Sequence, residues 1–541
     1  MKILFHNGTI IDPIDFNIYE ALVVDQGFIL AKGSYLTLNA DYSQDASHYD
    51  LEGQTLMPGF NDSHMHLLGY GQSLFQVDLT LVNSLEALVE TSQRFLEETL
   101  LPEGEWLLGR GWNQDHFDFP ILPSRETLDS ISTAHPIFFR RACGHIGVAN
   151  TFALKAIGLW ETPTQHVDGG YIDLNFDGTP TGILRENAMS LLLDRIDTPG
   201  AQVLSGYIER AQTALFSGGI TSVQSDDLCV FPMKDSALIL ETFQTMGLDG
   251  RLKISVHEQS LMRTSSHFET WIKNGYTYQK SFGAFSYGPL KILGDGSLGA
   301  RTAFLRAPYA DQSDTCGIPM YSQDELNALV KMAYENHIPV AIHGIGDGMI
   351  EQALKAIEVG QNLLHSSVLR SAIVHCQITD LPLLKKMSDL GVIGMVQPIF
   401  LDYDLHIVED RVGKERASSS YAFKTMENLG IKTAYGTDCP VEGYHVFKGI
   451  QCAVTRQDLN HFPSSGWLPE EAVTIKEALR AYTVGSAYAS GEEMTKGSLG
   501  IGMVADLVIL DRNPLTMPAH ELSTIQIRTT FKSGEIVYTC K

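Results

Sequence analysis

Two histidines one residue apart, His64 and His66, are answered far downstream by His343, His375 and Asp438. Alternate side chains of an extended strand share a face, so an H-x-H pair can present two imidazoles to one cation. His343, His375 and Asp438 each close a short apolar run of strand-forming residues. A lone histidine at a strand end is more often a packing residue than a ligand. Four strand-closing candidates in regular order along the chain point instead to a shared metal centre. Imidazole nitrogens with an ionised carboxylate suit Zn²⁺ or a similar divalent ion. Water activated by such an ion loses a proton near neutral pH, and Asp438 is the residue type to be both ligand and general base as hydroxide attacks a carbonyl.

Lys291 sits in the apolar run 289–293. A buried ammonium is costly unless it is paired or deprotonated. A neutral amine there could take up CO₂ to give a carbamate that bridges two cations, whereas an ordinary ammonium paired with Asp295 or another nearby acid would leave one.

The elements that must position these groups read as an α/β pattern. Eight strand candidates, 56–60, 220–224, 252–257, 290–293, 340–343, 372–375, 392–396 and 433–435, are followed by helical stretches or long connections. Eight parallel strands close a (β/α)8 TIM-like barrel, which keeps its active site at the C-terminal tips of its strands. Short strands with turns at both ends, each too small to hold a core alone, are expected to pair as one small β-sandwich. The gap after the first strand is too long for a loop and predicts an inserted domain that shapes the substrate pocket. The organisation is therefore sandwich over 1–55, first barrel strand with the metal motif over 56–71, insert over 72–200, the rest of the barrel over 201–490, and sandwich again over 491–541.

With 541 residues, 44% hydrophobic, the chain has the bulk of an ordinary globular protein with several modules. A net charge of −25 argues against nucleic acid or an anionic membrane as partner. The first 15 residues lack a secretory apolar core, and no run is long enough to span a membrane. Seven scattered cysteines without C-x-x-C spacing suggest reduced thiols in a cytoplasm. Cys376 and Cys439 adjoin candidate ligands, and their expected role is packing.

The motifs 57–66, Lys291 with 295–297, 343–347, 374–376, 436–440 and the closing 497–508 together resemble the amidohydrolase superfamily, in its family 3 or YtcJ-like branch typified by N-substituted formamide deformylase. The resemblance covers nearly the whole chain. It implies that His64, His66 and Asp438 hold one metal and His343 and His375 another, with carboxylated Lys291 between them and Asp438 as base. It also implies hydrolysis of a non-peptide C–N bond in an amide, N-substituted formamide or related small molecule. His145, Trp112 and His116 lie in runs similar to the branch and are candidates for substrate contact, as are Glu186 and Arg301. Two alternatives stay open: a mononuclear, deaminase-like enzyme with an unmodified Lys291, and a non-catalytic regulator that keeps the fold. A homodimer is compatible with the sequence.

Overall fold

The computed structural model describes residues 2–540 apart from 100, 115–116, 142–145, 168–169, 194, 197, 232–234, 263 and 365–368. The chain forms two compact units, one of residues 1–67, 211–230 and 239–541, the other of residues 68–210 and 231–238.

The larger unit is built on eight parallel strands paired in chain order: β1 (Phe60–Met65), β2 (Ile220–Ser225), β3 (Ser255–Leu261), β4 (Phe285–Leu293), β5 (Val340–Gly344), β6 (Ala372–His375), β7 (Ile393–Val396) and β8 (Thr433–Tyr435). The two ends of this sheet meet just past β8, where Asp438 N donates to His64 O and His66 N donates to Cys439 O, both at 2.8 Å. Gly436 permits that approach, since a Cβ there would lie 2.7 Å from His64 N and 2.8 Å from Asp62 Oδ1. Amphipathic helices follow or precede the strands; Gln323–Glu335 starts at a capping box between Ser322 and Glu325, and Asp347–Gln361 follows β5 directly.

Three strands differ clearly from the sequence expectation, the fourth by starting at Phe285 rather than at 290. The first barrel strand is Phe60–Met65 rather than 56–60, because Pro58 and Gly59 interrupt the run. Thr55–Pro58 belongs to a different, six-stranded sheet, between Leu507–Leu510 and Thr9–Ile11. The third strand is Ser255–Leu261 rather than 252–257. Its polar stretch Glu258-Gln259-Ser260 lies beyond the expected end yet is fully buried, Gln259 against His64 and Glu258 against the Asp227 amide.

The six-stranded sheet joins strands from both ends of the chain. Beside it a four-stranded sheet orders Phe28–Gly33, Ala21–Asp25, Lys2–His6 and Ala46–Asp50. Phe5, Leu22, Leu56, Leu507 and Phe531, drawn from both sheets, share one apolar core. The smaller unit carries a seven-stranded mixed sheet from Val77–Asp78 to Pro180–Glu186 and has apolar cores of its own. Among the described residues no helix is long and apolar enough to cross a membrane.

Candidate metal centre

Alternation along β1 turns Asp62 and His64 to one side, and His66 follows directly after the strand. Lys291 is buried in β4, His343 lies near the end of β5, His375 ends β6, and Asp438 stands three residues past β8. His64, His66, Lys291, His343, His375 and Asp438 gather at the C-terminal tips of the barrel strands. The His64 ring lies 5.4 Å from those of His66 and His375, and the His343 ring lies 4.4 Å from that of His375. Asp438 Oδ1 is 3.1 Å from His66 Nε2 and 3.5 Å from His64 Nε2. His375 and Asp438 both have left-handed backbone, φ 74° and 57°, a strained state that surrounding hydrogen bonds must hold.

The partners of the imidazoles fix what they offer. His64 Nδ1 faces Gln259 Oε1 at 2.7 Å, His66 Nδ1 the Asp226 carbonyl at 2.6 Å, His343 Nδ1 Asp295 Oδ1 at 2.9 Å, and His375 Nδ1 Gln397 Oε1 at 2.8 Å. The amide orientations are consistent, since Gln259 Nε2 donates to Ser63 O and Gln397 Nε2 to Met395 O. At His64, His343 and His375 the acceptor on Nδ1 assigns the proton of the neutral ring to that nitrogen, so Nε2 is left as a lone pair, while His66 Nδ1 lies against both the Asp226 carbonyl and the Cys229 thiol. Asp438 Oδ1, buried, lies 3.5 Å from the His64 lone pair and 3.1 Å from His66 Nε2. Converging lone pairs with a buried carboxylate oxygen repel one another unless a cation sits among them, and imidazoles held from behind are the usual support of a metal site.

The electrostatics agree. Burial, and then the charge of Lys291, push the His64 imidazole well below its ordinary value, and burial with neighbouring His343 does the same to His375. Both rings are therefore neutral donors. Burial works to raise Asp438, yet the close His66 ring, itself drawn well above its ordinary value by Cys229 and Asp438 against burial, keeps the carboxyl well below its usual range, so it stays ionised. Burial also lowers the Lys291 ammonium against the pull of Asp226. Lys291 Nζ lies 3.1 Å from His64 Nε2 and 3.7 Å from Asp226 Oδ2. Asp295 is not its partner: that carboxylate is taken by His343 and by the amides of Phe304, Ile345 and Gly346.

Other candidates fall elsewhere. Trp112 is buried in an apolar core of the smaller unit, its indole N–H on Phe139 O. Arg301 is forked onto Asp311, an anchor within its own loop. His116 and His145 lie outside the described residues, as does the side chain of Glu186. Cys376 and Cys439 are buried, the former with its thiol against Met387 Sδ. Sequence reasoning missed Asp226, Cys229, Gln259 and Gln397. Asp226 follows the second strand and could have been found by the strand-tip rule that found the histidines; the glutamines carry no such signal.

The chain matches the model of an amidohydrolase family over residues 48–538. It is 31% identical to the putative amidohydrolase YtcJ of Bacillus subtilis over 99% of both chains. It is 27% identical to N-substituted formamide deformylase of Arthrobacter pascens, over 96% of this chain and 95% of that one. Among solved structures, an uncharacterized metal-dependent hydrolase from Pyrococcus furiosus superposes with a TM-score of 0.79 at 30% identity, covering 95% of this chain and all of the other.

Proposed function

The chain belongs to the amidohydrolase family, and on that premise we propose that it is a metal-dependent hydrolase of a non-peptide C–N bond in a small amide, N-substituted formamide or related molecule. The observation that carries this reading is the convergence of the buried His64 and His375 imidazoles with the Asp438 carboxylate, flanked by His66 and His343. The donor set fits Zn²⁺ or a similar divalent ion, held by His64, His66, His343, His375 and Asp438. Two ions are accommodated if Lys291 carries a carbamate, one if it remains an ammonium paired with Asp226. Such an ion supplies Lewis acidity toward a scissile carbonyl and toward water. The chain's own residues do the rest. Gln259, Gln397, Asp295 and the Asp226 carbonyl hold the imidazoles in register, and Asp438, kept ionised, takes a proton from the attacking water and returns it to the leaving nitrogen. Likeness to a formamide deformylase favours an N-substituted formamide among the substrates.

The test is metal content by plasma mass spectrometry on protein purified without chelator, with hydrolysis of an amide and formamide panel read on the same sample. About two ions per chain with turnover supports the binuclear form; one ion supports a mononuclear centre with an ordinary Lys291. Asp438→Asn is expected to keep most metal and lose turnover by at least about a hundredfold. Fully metallated protein inert toward the whole panel would overturn the enzyme reading in favour of a regulator that retains the fold.

A further inference from the structure

Two separate ligand triads lie at the mouth of the barrel. Among the described residues His64, His375 and Asp438 form one; His66, Asp226 and Cys229 form the other, and within each triad one donor atom per residue lies within 4.8 Å of the others. Cys229 is exposed, and its Sγ stands 3.4 Å from His66 Nδ1 and 3.3 Å from the Asp226 carbonyl. Asp226 is 4% exposed, with Oδ1 buried and without a hydrogen-bond partner. Next to it on β3, fully buried Glu258 accepts from Asp227 N through Oε1 and leaves Oε2 without a partner. The unpartnered Asp226 oxygen and the Cys229 thiol beside the His66 imidazole make a nitrogen–oxygen–sulfur pocket, with Cys229 on its open side.

We propose that Asp226 and Cys229 extend the metal centre on the His66 side, giving it a thiolate donor and a preference for thiophilic divalent ions. Binding forms a bond from Sγ to the ion as the thiol proton leaves to solvent. The ion keeps its oxidation state, so no redox partner is involved. Sulfur ligation favours Zn²⁺ and Cd²⁺ over Mg²⁺ and Ca²⁺, which the first triad alone would discriminate less. This inference rests on the metal-centre reading above but is separable from it.

The experiment adds Co²⁺ or Cd²⁺ to chelator-treated full-length protein, counts bound ions and records the near-ultraviolet thiolate-to-metal charge-transfer band. The wild type is expected to develop the band, and Cys229→Ser to lose it while one equivalent binds at least about tenfold more weakly. In the wild type, Cd²⁺ is expected to slow alkylation of Cys229, located by peptide mapping, by at least about tenfold. Ions bound without a band, or a band and alkylation rate unchanged by Cys229→Ser or Cd²⁺, overturn the thiolate site and leave the hydrolase reading standing. Failure to bind any divalent ion overturns both.

Discussion

The unusual feature at the level of single residues is that two of the four imidazoles are held by neutral glutamines. His64 leans on Gln259 and His375 on Gln397, while His343 leans on a carboxylate and His66 on a backbone carbonyl. A carboxylate behind an imidazole raises its basicity; a glutamine orients the ring and adds no charge. In a pocket that already encloses Asp438, Asp226 and Glu258, neutral supports limit the buried negative charge. Removing one should cost orientation. Gln259→Leu is expected to weaken metal retention by about 10–100-fold with the fold intact, read as the chelator concentration that strips half the metal. Wild-type resistance to chelator in this variant would show that the strand alone orients His64. Trp112 illustrates the opposite case: its neighbourhood resembled a substrate motif, but the ring is spent on packing.

Elements are joined at this site by two buried carboxylates. Asp62 on β1 accepts Thr437 Oγ1 and the amides of His64 and Thr437, so it ties the first strand to the turn that carries Asp438. Burial pushes it up to about 7 despite those donors. Asp295, just past β4, gathers four donors: the His343 ring and the amides of Phe304, Ile345 and Gly346. Asp295→Ala strands all four donors, three of them backbone, at a cost of about 3–5 kcal/mol in urea unfolding. A loss below about 1 kcal/mol would mean that water replaces the carboxylate at little cost. The ligands were legible in the sequence because each is a polar residue ending an apolar run, a pattern with few bland explanations when repeated. Where a buried strand carries polar residues the same pattern misleads. Glu258-Gln259-Ser260 looks like the end of β3 but belongs to it, and Thr55–Pro58 looks like β1 but pairs with a strand some 450 positions away, as the register Met57↔Val508 shows. Burial of that kind is decided by tertiary partners, not by local periodicity.

For the molecule as a whole, the C-terminal segment is fastened to the beginnings of β2 and β3, away from the ligands at the strand tips. Lys532 Nζ, on a C-terminal strand, reaches Asp506 Oδ2 at 2.6 Å, Ser255 Oγ at 2.8 Å and Thr221 O at 3.0 Å. Nearby, Lys496 Nζ bonds Glu492 Oε1 at 2.8 Å and Ser222 Oγ at 3.3 Å. These contacts join the last 50 or so residues to β2 and β3, so the sheets that close the chain stabilise the same strands that carry Asp226 and Gln259. Burial works to raise Glu492, but Lys496 and His257 bring it down to about 2. A carboxylate held below its unfolded value contributes stability that is fully present above about pH 4.5 and disappears as pH falls toward 2. Its side chain is 31% exposed, so solvent screening trims the contribution to about 1–2 kcal/mol. Glu492→Gln is therefore expected to be less stable than wild type by that amount at pH 7. The gap should narrow as pH is lowered from about 4.5 to about 3, as read by urea unfolding at matched ionic strength. A gap that does not change with pH would locate the effect in packing and deny the ion pair its part in fastening the C-terminal segment to the barrel.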